Sequence, residues 1–116
     1  MNIKCFLMII VTLFVISCSK SSTELFALSE EDLKNDNIDV AIKNLELLIV
    51  KYPNDTLASK AQYKLASIYF NWENNISLGL KALDNTVSNY PKTIHAKQAQ
   101  KEIDGFPKFL INKAES

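Results

Sequence analysis

The stretch "KYPNDTLASKAQ", Lys51 to Gln62, decides the fold because it returns 38 residues later as "NYPKTIHAKQAQ", Asn89 to Gln100. Each copy closes one apolar helical run and opens another. Pro53 and Pro91 cannot donate a backbone hydrogen bond, and each stands two residues past the expected end of a helix, where that loss costs little. Asn54, Asp55, Thr56 and Thr93 then offer side-chain oxygens to the first free amides of the next helix. Ala58 and Ala61, and again Ala96 and Ala99, let helix axes approach closely.

Outward from these seams, apolar residues recur at steps of three and four. Ala58, Ala61, Leu65, Ile68 and Trp72 form one such series, Leu80, Leu83, Val87 and Tyr90 a second, and Ala96, Ala99, Ile103 and Phe106 a third. No alternation of period two is sustained. With only two glycines in the chain, turns fall to Asn, Asp and Pro, as in "NDN" at 35–37 and "NWENN" at 71–75. The spacing predicts an all-α fold of about five helices near 23–35, 38–51, 55–73, 76–89 and 93–104, followed by a frayed or short helical tail after Gly105. Sliding the chain on itself by 38 residues pairs Val40–Leu65 with Leu78–Ile103 and gives 7 identities in 26. An offset of that size over helix pairs marks an α-helical repeat.

The beginning of the chain reads differently. Lys4 precedes a 12-residue apolar stretch, Cys5 to Ile16, shorter than the roughly 20 residues a membrane-spanning helix needs. Val15-Ile16-Ser17-Cys18 resembles the bacterial lipobox, which implies cleavage before Cys18 and acylation of its thiol and new amino terminus. Residues 1–17 are therefore expected to be a signal peptide and 18–23 a lipidated tether. Residues 24–104 then form the repeat domain and 105–116 a cap or tail. Acyl chains of this kind anchor a protein to a membrane without spanning it. Ser19 rather than Asp after the cysteine implies, by the same resemblance, the periplasmic face of the outer membrane. Cleavage leaves 99 residues with 12 lysines and 13 acidic groups, so the charge balance gives no case for nucleic acid. No disulfide is expected, and the fold must hold by packing alone.

The repeat resembles the tetratricopeptide repeat (TPR). Leu25, Leu28 and Ser29 match its first-helix positions, Ala41, Leu45 and Leu48 its second helix, and Pro53 its closing proline. Leu65, Ala66 and Tyr69, then Gly79, Leu83 and Pro91, match a second repeat. Asp32 departs from the pattern, standing where an aromatic residue is usual. The motif "YPxxTxxAxxAQ" resembles repeats of periplasmic TPR lipoproteins, notably the BamD-like family of outer-membrane β-barrel assembly and the cell-division coordinator of the Tol-Pal system. The implied fold is a short α-solenoid of two and a half repeats, and the implied role is a non-catalytic scaffold for an envelope protein or peptide. A structural or self-associating envelope subunit, linked to cell division or Tol-Pal-type maintenance, is the alternative.

Catalytic chemistry has little to build on. His95 is the single histidine and reads as an exposed polar residue in the first turn of its helix. No HExxH, CxxC or glycine-rich phosphate loop occurs, so no cofactor or metal is expected. Glu30, Glu31 and Asp32 read as a solvated helix face. By resemblance, the first helices line a concave face through Thr23, Phe26, Glu30 and Leu33, then Lys60, Tyr63, Ser67 and Phe70. Of these, Phe26, Glu30, Lys60, Tyr63, Ser67 and Phe70 are the candidates for partner contact. The rings of Phe26, Tyr63 and Phe70 either anchor a partner or fill the gap between helices. Phe106, Phe109 and Leu110 in the tail either seal the last interface or mediate self-association.

Overall fold

The computed structural model describes residues 19–115, within which six helices and no strand form. They are α1 (Ser22–Lys34), α2 (Ile38–Lys51), α3 (Thr56–Asn71), α4 (Ile76–Asn89), α5 (Ile94–Gly105) and α6 (Lys108–Glu115). The expected tail is thus a sixth helix. The expected signal peptide at 1–17 and the lipidated Cys18 lie outside the described residues. The first helix opens at Ser22, inside the stretch read as tether, because the Ser21 hydroxyl accepts from the Glu24 amide at 3.2 Å and caps it.

Both copies of the seam build the same turn. The Tyr52 carbonyl accepts from the Asp55 amide and the Tyr90 carbonyl from the Thr93 amide, each at 3.1 Å. Asp55 then caps α3 through the Leu57 amide at 2.9 Å, and Thr93 caps α5 through the Ala96 amide at 3.1 Å. The Asn-rich turns at the other ends of the helices each hold one residue in the left-handed region, Asp36 at φ 61° and Asn74 at φ 53°. Short polar side chains tolerate that conformation, so the chain makes these turns without glycine.

Helix pairs α1/α2 and α3/α4 stack, α5 follows on α4, and α6 turns back against α4. The core runs through all the stacked layers: Leu25, Leu45 and Leu48 from the first pair, Ala58, Ala61, Leu65, Ile68 and Leu83 from the second, and Ala99 from α5. Neither pair could cover its own apolar face alone, which is why stacking and stability are inseparable here. Thr86 is fully buried, and its hydroxyl donates to the Ala82 carbonyl at 2.8 Å, so the polar group carries no penalty. At Asp32, where the repeat pattern wants a ring, the carboxylate accepts from Asn44 at 2.8 Å and ties α1 to α2 by a hydrogen bond instead.

Gly79 is a point of close packing between α3 and α4. The ring of Phe70 lies directly on it, and a Cβ added there would meet Phe70 Cε1 at 2.4 Å. Phe70 in turn stacks on Phe106 with ring centroids 5.3 Å apart and planes at 23°. Phe106 therefore helps seal the last interface, Leu110 is half-buried, and Phe109 is 68% exposed.

Candidate functional site

The first helix of each unit, α1, α3 and α5, contributes one wall to a groove of about 310 Å³. Phe26 and Glu30 come from α1, Lys60, Tyr63, Lys64 and Ser67 from α3, and His95 and Gln98 from α5. Residues one turn apart on a helix share a face, so the spacing that buries Leu25, Ala61 and Ala99 behind the groove also directs the other side chains into it. Five of the six proposed contact residues are brought together: Phe26, Glu30, Lys60, Tyr63 and Ser67. Phe70 is not among them. It lies seven residues beyond Tyr63 on the same helical face, but near the end of α3 that face meets Gly79 and Phe106. Of the other two first-helix positions, Thr23 is exposed and Leu33 packs on the core.

Polar bridges set the width of the groove. Lys64 donates to Glu30 at 2.9 Å between α3 and α1, and the Tyr63 hydroxyl donates to the Glu102 carboxylate between α3 and α5. Ser59 Oγ lies 3.0 Å from His95 Nδ1, and the rings of Tyr63 and His95 sit 6.2 Å apart in a tilted arrangement. His95 is thus a half-buried wall residue rather than the exposed polar residue expected from its position in a first turn. The Lys60 ammonium stands 4.8 Å from the centroid of the Phe26 ring, within cation–π range. Burial, and then the carboxylate of Glu102, push the Tyr63 hydroxyl up to about 12. Burial, and then the charge of Lys60, hold the His95 imidazole below its ordinary value. The floor of the groove therefore carries neutral rings, with a lysine ammonium at its rim.

Sequence reasoning missed Lys64, His95 and Gln98. The signal for Gln98 was present: it follows Lys60 by the same 38-residue offset that relates the two seams. Other clefts differ in kind. One of about 260 Å³, lined by Leu80, Ile103, Ile111 and Ala114 among others, is the junction where the tail helix docks on α4. Among the described residues, no group of three or more His, Cys, Asp or Glu side chains is placed to hold a metal ion.

A tetratricopeptide repeat family model matches residues 60–93, which cover most of α3, all of α4 and the start of the second seam. No curated protein and no solved structure matches the chain. The chain thus contains a TPR-type repeat within an all-helical fold. Repeats of this type generally serve as protein-binding modules and are typically non-catalytic.

Proposed function

We propose that the protein is a non-catalytic, membrane-tethered scaffold that holds a protein or peptide partner in the groove between α1, α3 and α5. The carrying observation is the convergence of side chains from three successive first helices on one groove, with Phe26 and Tyr63 as apolar surfaces and Lys60 at the rim. An apolar anchor inside a polar rim is how short segments are recognised at protein surfaces. Lys60 favours a segment that places a carboxylate beside its apolar anchor. The lipobox-like Val15–Cys18 supports an N-terminal lipid anchor, and the resemblance to BamD-like lipoproteins supports an outer-membrane site and an envelope partner, possession of which would link the protein to β-barrel assembly.

Crosslinking in membranes followed by recovery of the full chain identifies the partner. Tyr63→Ala and Lys60→Glu should each reduce its recovery at least severalfold while leaving helix content intact. Undiminished recovery with both variants would overturn the groove assignment. The anchor is checked separately: Cys18→Ala should abolish fatty-acid labelling, and persistent labelling would overturn it. A second reading, self-association through the tail, draws on the exposure of Phe109, with Leu110 beside it and Phe106 committed to Phe70. It predicts a mass above that of a monomer that falls on Phe109→Ser.

A further inference from the structure

We propose that the edge of the solenoid formed by the two seams rests on the anionic headgroups of the membrane that holds the N-terminus, so that the helices stand upright on the bilayer. This rests on the membrane-anchor reading above. Helices α1, α3 and α5 all start at that edge, and α2 and α4 end there. Tyr52 in the first seam donates its hydroxyl to the Lys20 carbonyl at 2.6 Å, and Ser22 donates to Asp55 at 2.7 Å. A shallow cleft bordered by Pro53, Asn54, Tyr90 and Ile94 continues the same edge to the second seam. The start of the described chain is thereby tied to the seams.

Covalent reach makes the consequence quantitative. Lys20 follows Cys18 by two residues, and an extended chain covers about 3.5 Å per residue, so the Lys20 α-carbon stands within about 7 Å of the α-carbon of Cys18, the residue proposed to carry the acyl chains. That is below one Debye length at physiological salt, about 8 Å. The end of the edge at Lys20 therefore stays close to the headgroup region while the anchor is inserted, and the charges along the edge set whether the rest follows.

The edge is also built for that neighbour. Lys20, Lys51 and Lys92 are exposed along it, and so are Pro53 and Pro91. Val50 and Ile94, each beside the seam, are 77% and 63% exposed. Of the acidic groups at this edge, Asp55 is occupied by the Leu57 amide and the Ser22 hydroxyl, which leaves Glu24 in the first turn of α1. The opposite edge carries Asp36, Asp39, Glu73 and Asp104 against Lys34, Lys108 and Lys113. Lysines beside apolar side chains suit an anionic lipid surface, each lysine adding about fivefold to the attraction. The orientation leaves the concave groove open sideways, parallel to the membrane.

Trp72, the one tryptophan, caps α3 at the opposite edge. The 16 residues of α3 place it about 24 Å from the seams. The test uses the full lipid-modified chain in vesicles of phosphatidylethanolamine and phosphatidylglycerol, with lipids brominated near the headgroup as quencher. Three forms are compared: the natural chain, Val50→Trp with Trp72→Phe, and Ile94→Trp with Trp72→Phe. The tryptophans at 50 and 94 should lose most of their emission, and Trp72 should keep its own. Reversing Lys20, Lys51 and Lys92 to Glu should restore emission at position 94. Flotation of the chain with the vesicles reports the anchor independently. A chain that floats while positions 50 and 94 are quenched no more than Trp72 overturns the edge assignment alone. A chain that does not float overturns the anchor reading and this orientation with it.

Discussion

Gly79→Ala tests the packing where the Phe70 ring lies on α4. On an exposed helix this exchange stabilises by about 0.5–1 kcal/mol, because alanine restricts the unfolded chain and is the better helix former. Here the new methyl carbon would sit 2.4–2.6 Å from three atoms of the Phe70 ring, and the ring would have to retreat about 1 Å to reach ordinary contact. Moving the ring disturbs its stacking on Phe106, whose centroid lies 5.3 Å away at the start of the tail. Overpacking of this kind costs about 1–3 kcal/mol. Less the gain in helix propensity, the net loss should centre near about 1 kcal/mol and not exceed about 2.5 kcal/mol, the central value being about 4–8 °C in Tm for a domain of this size. Urea unfolding followed by circular dichroism gives the value. Phe70→Leu in the same chain should relieve part of the loss, so that the two substitutions together cost less than the sum of the singles. A Gly79→Ala protein more stable than the parent, as on an exposed helix, would refute the seating of Phe70 on the glycine.

Three further outcomes follow from the same geometry. Leu83→Ala empties a fully buried position on α4 and should cost about 2–5 kcal/mol in the same urea experiment. Tyr63→Phe removes the bond to Glu102 and should cost about 1 kcal/mol at neutral pH. Because the folded value of Tyr63 lies above the ordinary 10, its contribution is fully present below about pH 10 and is lost as pH rises toward 12. The difference in stability between parent and variant should therefore shrink across that window. His95 is lowered from 6.5, so its contribution is present above that value and lost as pH falls below it. Lys60→Gln should raise the His95 titration midpoint measured by NMR, and an unmoved midpoint would show that Lys60 does not face the imidazole.

The repeat was legible because its signals are local. A proline two residues past a helix, an Asp or Thr at the next cap, and alanines at the close approach each act within a few residues, and each does so in both seams. The concave register was legible for the same reason, since helical spacing alone groups Phe26 with Glu30 and Tyr63 with Ser67. It failed at Phe70 because spacing tells which side chains share a face and not what that face meets. Along α3 the neighbour changes from the first helices to Gly79 and Phe106, and only the stacking decides where. His95 failed by the reverse route: a first-turn histidine reads as solvent-exposed until Ser59 and Tyr63 of the preceding unit close over it.

By itself, then, the sequence determined the helices, their ends and the faces they bury, because hydrogen bonding, capping and hydrophobic periodicity operate within one or two turns. Tertiary structure alone decided that α6 turns back onto α4, that Asp32 replaces ring packing with a bond to Asn44, and that Lys20 is tied to Tyr52 at the seam edge. Those contacts join residues 12 or more positions apart, and their energies depend on how whole helix pairs stack, which no local pattern encodes.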